Sequence, residues 1–101
     1  MTQLERTAHY EELLDRVQAA AAELDQALTA FAAAQPLVRA LDRYYGSDQW
    51  RRDYDDDEAG RLPAHLKRGV LSQGALYNAL CDNRELLVRM LETAKRAMGD
   101  A

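Results

Sequence analysis

Most of the residues whose type and spacing could support chemistry fall within one short stretch of this chain. Asp53, Asp55, Asp56, Asp57 and Glu58 form an oxygen-rich run of the kind that holds calcium or magnesium. The order of an EF-hand loop is absent, however, so these carboxylates read better as a solvated face or as partners for nearby arginines. Downstream, Lys67-Arg68-Gly69 leads to Ser72 at an expected helix start. Two cations, a flexible glycine and unpaired helix N–H groups together suit a small anion. The bland alternative pairs both cations with Asp56, Asp57 or Glu58 and leaves Ser72 as a simple cap. Cys81 with His65 or His9 would make a nucleophile and base, yet Cys81 follows Leu80 inside a helical stretch, far from a helix N-terminus, where a thiol packs. No catalytic, cofactor or metal-binding set is expected, and the chain is not expected to be an enzyme.

Tyr44, Tyr45, Trp50 and Tyr54 are four of the seven aromatic residues. Together they form either a hydrophobic knot, with hydroxyls and indole N–H bonded locally, or a partner-binding patch flanked by charge. The candidate interaction surface is therefore Tyr45, Trp50, Asp53, Asp57, Glu58, Arg61, Lys67 and Arg68.

The elements that must position these residues are helical. Tyr10, Leu14, Val17, Ala21, Leu24, Leu28 and Phe31 alternate spacings of four and three, which is a heptad seam. Thr2 with Glu5 reads as a capping box. Pro36 should end this first helix, at about residue 34, and open a shorter one over about 36–45, with Leu37, Leu41 and Tyr44 or Tyr45 on one stripe. Gly46 in the left-handed conformation would close it. Ser47 caps a short helix running toward Gly60, and its acidic end opposes the helix dipole, so fraying is expected after Asp55. An irregular connector from Leu62 to Gly69 leads to Ser72, the cap of a last helix over about 72–98 with Leu76, Leu80, Leu87, Met90 or Leu91, Ala94 and Met98 as its seam. Asn83 and Arg84 interrupt that seam, where a polar residue can set register against helix one.

Composition agrees with this plan. The 101 residues make a single domain over 1–101, and eighteen alanines beside only seven aromatics describe a leucine-and-alanine helical core. Cys81 is the lone cysteine, which excludes an internal disulfide, and one thiol with two histidines cannot supply a four-ligand structural zinc site. No apolar run is long enough to span a membrane. The net charge of −4 and a pI near 5.1 argue against nucleic acid as a partner. Charge is segmental: residues 1–35 and 46–60 are acidic, whereas residues 61–71 are basic, which suits a loop closed by ion pairs. A cytoplasmic location follows as an expectation.

The series Tyr44-Tyr45-Gly46-Ser47, Trp50, Asp53, Asp57-Glu58, Gly60, Leu62-Pro63 and Leu66-Lys67-Arg68-Gly69-Val70-Leu71-Ser72 resembles the bacterial domain-of-unknown-function family 4298. That resemblance implies a small cytosolic all-α protein and carries over no catalytic residue. The resulting expectation is an antiparallel bundle of two long helices (about 3–34 and 72–98), a shorter helix (about 36–45) and a compact, partly helical insert (46–71). The expected role is a non-enzymatic protein-interaction module that uses the insert with its flanking residues, over 44–72, and binds an unidentified protein. Two alternatives stand beside it: a small-anion or nucleotide-binding accessory protein, and a structural homo-oligomer, such as a homodimer, formed through helix one.

Overall fold

The computed structural model describes residues 1–99, and every regular element in them is helical. Helix α1 spans Gln3–Tyr45, α2 spans Asp48–Glu58, a 3-10 turn covers Gly69–Leu71, and α3 spans Gln73–Ala97. The chain divides into two compact units, Met1–Gln35 and Pro36–Ala101.

The first unit is helical from Gln3 onward. Its start is the anticipated capping box: the Glu5 N–H donates to Thr2 Oγ1 at 3.1 Å and the Thr2 N–H donates to Glu5 Oε1 at 3.4 Å. Two orphan donors are thereby satisfied reciprocally.

Pro36 does not end the helix, contrary to expectation; it lies inside α1, so the separate helix over 36–45 is the last part of the same element. Two costs decide this outcome. A proline inside a helix costs about 3 kcal/mol, whereas stopping and restarting requires a second nucleation, with a factor of about 10⁻³ or roughly 4 kcal/mol. Ala32, Ala33, Ala34, Leu37 and Ala40 around it favour propagation. Gln35 Nε2 donates to the Phe31 carbonyl at 3.1 Å, one residue before the Ala32 carbonyl that Pro36 leaves without its helical donor.

The second unit holds the core. Trp50, Leu71 and Leu76 are its buried residues, and Leu41, Tyr44, Tyr45, Tyr54, Leu62 and Leu80 pack around them. They come from the last turns of α1, from α2, from the connector and from the first turns of α3. Ser47 and Ser72 cap α2 and α3 as anticipated, accepting from the N–H groups of Trp50 at 3.1 Å and Ala75 at 3.3 Å.

Two local expectations are corrected. Gly46 is not left-handed; among the described residues that conformation belongs to Gly60 and Gly99. At Gly60 it completes a Schellman closure of α2, in which the Arg61 N–H reaches the Asp56 carbonyl at 2.9 Å and the Gly60 N–H reaches the Asp57 carbonyl at 3.0 Å. The fraying expected after Asp55 does not occur, because α2 continues to Glu58. That closure, together with arginines facing the Asp56 and Asp57 side chains, offsets the unfavourable dipole.

The small core makes Trp50 the most sensitive position. Trp50→Ala should lower the stability of the second unit by about 3 to 5 kcal/mol, and Leu76→Ala by about 2 to 5 kcal/mol. Denaturant unfolding followed by circular dichroism measures both.

Candidate functional site

The connector between α2 and α3 is built outward from Trp50. Its indole is 3% exposed, and burying a Trp N–H without a partner would be costly. Nε1 meets that demand by donating to the Val70 carbonyl at 3.0 Å, which ties α2 to the far end of the connector. Tyr54 stacks on the indole with ring centroids 5.1 Å apart, and Tyr45 meets it edge-on at 5.0 Å. The aromatic group is thus the locally bonded knot, and Trp50 belongs to the core instead of the exposed interaction surface.

Charged residues complete the closure. Arg68 donates from Nη1 to Asp57 Oδ1 at 2.7 Å in a partly sheltered pair, and Arg61 pairs with Asp56 at 2.9 Å near the connector's start. The Tyr44 hydroxyl donates to Asp53 Oδ2, linking α1 to α2. Burial, then the hydrogen bond and the negative charge of Asp53, push the Tyr44 phenol up to about 12.

Of the proposed surface residues, Trp50, Asp53, Asp57 and Arg68 therefore hold the insert together. Tyr45 is half-buried against the knot, and Arg61 is exposed but paired. Glu58 and Lys67 are exposed, and neither is ion-paired among the described residues. Sequence reasoning passed over Leu66 and Val70, which the connector leaves 47% and 37% exposed. The available signal was their place in a basic stretch between two pinned ends.

Other candidate chemistry does not converge. Among the described residues, no three His, Cys, Asp or Glu side chains stand close enough to hold a metal ion. Cys81 is half-buried, one turn after Tyr77, whose phenol is raised chiefly by a hydrogen bond to that thiol. An open concavity of about 380 Å³ is lined by residues 45–48 with Trp50, Arg51 and Gln73, and Lys67 and Arg68 are not among its lining. No helix among the described residues is long and apolar enough to cross a membrane.

Alkaline titration should expose the Tyr44 contact. A phenol raised in the folded state stabilises that state fully below the ordinary tyrosine value near 10, and loses this contribution as pH rises through about 12. Stability should therefore fall across that window in the wild type, and fall less in Tyr44→Phe, as read by denaturant midpoints at successive pH values. Arg68→Ala, by removing a charge-assisted hydrogen bond, should cost roughly 1 to 3 kcal/mol at neutral pH, while Lys67→Ala should leave the midpoint nearly unchanged.

The model of the family described as "Domain of unknown function (DUF4298)" matches residues 8–93. No curated protein and no solved structure matches the chain. The family match takes in α2, the knot around Trp50, the whole connector and most of α1 and α3, and on that extent the chain belongs to the DUF4298 family.

Proposed function

We propose that this protein is a non-enzymatic protein-interaction module whose working surface is the connector over residues 61–71. One observation carries this reading. The connector is fixed in shape by contacts reaching back to α2, from Val70 to Trp50 and from Arg68 to Asp57, yet its own Leu66, Lys67 and Val70 face solvent. A loop ordered in advance loses little entropy on docking, and apolar side chains beside an unpaired cation suit an interface with an apolar centre and a charged rim. Lys67, with Arg61 at the connector's start, would favour a partner with an acidic rim, and Glu58 on the adjoining helix end would oppose one.

This reading separates two adjacent cations. Arg68 maintains the fold of the surface, and Lys67 belongs to the surface itself. A charge reversal at Arg68 would therefore confound folding with binding, so the informative variant is Leu66→Ser with Lys67→Glu. A photocrosslinking residue at position 66, introduced into the host's own protein, should trap a discrete partner. The double variant should lose that partner while its circular dichroism and Trp50 emission stay at wild-type values. Trapping the same proteins at position 66 and at an exposed control position such as Glu92 would overturn the assignment.

A further inference from the structure

The first unit leaves a long apolar face exposed. Tyr10, Leu14, Val17, Leu24 and Leu28 are 39% to 65% exposed, and they occupy successive a and d positions of one heptad frame, with Leu14, Ala21 and Leu28 at a, and Tyr10, Val17, Leu24 and Phe31 at d. Such a stripe is buried by a second helix carrying the same period. Helices draw most of their stability in water from a packed apolar face.

The residues beside the stripe say what covers it and in which direction. The e positions are Leu4, Glu11, Gln18, Asp25 and Ala32, which include acids and no cation. The g positions are Arg6, Leu13, Ala20, Ala27 and Ala34, which include a cation and no acid. Antiparallel helices set e against e and g against g, so two copies in that orientation could never oppose unlike charges along the seam. Parallel helices set each g against the e five residues further along the partner, which brings Arg6 to the partner's Glu11, and by symmetry Glu11 to the partner's Arg6. Glu5, Glu12, Asp15 and Glu23 fall at b, c and f, facing away from the seam, so the acidic excess of this segment stays in solvent, where salt screens it.

We infer that the amino-terminal part of α1 is a self-association surface, whose occupant is the same segment of a second copy in a parallel, in-register two-stranded pairing. Burial of Leu14, Val17, Leu24 and Leu28 supplies the attraction, the Arg6 and Glu11 pairs choose the direction, and Ala20, Ala27 and Ala34 at g let the backbones approach. This surface lies outside the connector and does not depend on the function proposed for it.

Sedimentation of the full chain over a range of concentrations should show a monomer converting to a dimer. Leu24→Asp should abolish the dimer while Trp50 emission, which reports the other unit, stays unchanged. Glu11→Arg, which turns two attractive pairs into two repulsive ones, should weaken dimerisation about tenfold, and Arg6→Glu added to it should restore the wild-type constant. In a Cys81→Ser background, Leu14→Cys should oxidise to a disulfide-linked dimer, because a parallel register sets each a residue beside its own copy. A chain that stays monomeric at every concentration overturns the inference, as does a dimer indifferent to Leu24→Asp. Failure of the charge swap to restore pairing, or a Leu14→Cys dimer that does not crosslink on oxidation, overturns the parallel register.

Discussion

The indole of Trp50 and its single hydrogen bond organise the carboxy-terminal unit. An apolar ring of that size must be buried to contribute, and once buried its N–H must find an acceptor. The Val70 carbonyl meets the requirement from twenty residues away. Fixing Val70 places Leu71 in the core and sets where Ser72 can begin α3. Tyr45 and Tyr54 pack on the ring and Tyr44 reaches Asp53 beside it, so the end of α1 is joined to the same point.

Electrostatics here supports geometry more than it adds stability. The Arg61 and Asp56 pair is exposed, a setting in which ion pairs contribute ~0 to 1 kcal/mol. The Arg68 and Asp57 pair is better sheltered, and it closes a loop whose apolar contacts are few. The acidic run and the basic stretch thus form two halves of one clasp, and this use accounts for a charge pattern that invites metal or anion chemistry when seen only as composition.

Features with a short-range physical cause were legible in the sequence. Thr2, Ser47 and Ser72 each cap a helix because a hydroxyl can reach an N–H three residues on, and that relation needs nothing beyond the local chain. The all-helical class and the long first helix followed from periodicity. Pro36 misled because its local penalty competes with the cost of nucleating another helix, which a residue-by-residue reading does not weigh. Gly46 and Gly60 were both credible helix terminators, and only closure of the connector determined which one is left-handed. The candidate surface was legible as a region and illegible as a set of side chains. Whether Asp53, Asp57 or Arg68 remains available for a partner depends on contacts made within the insert, whereas Leu66 and Val70 were not placed on the surface because apolar residues are ordinarily assigned to a core.

The core of the second unit is assembled from a narrow window of the chain, from Leu41 to Leu80. Its ties join residues nine, eleven and twenty apart. Closing loops of that length takes little entropy, and chains whose contacts are near in sequence fold quickly. The knot can therefore close early in folding, without waiting for the rest of α3 to become helical. The rest of α3 would then propagate from a core already closed, an order of events that limits the time during which Trp50 and its neighbours are exposed to wrong partners.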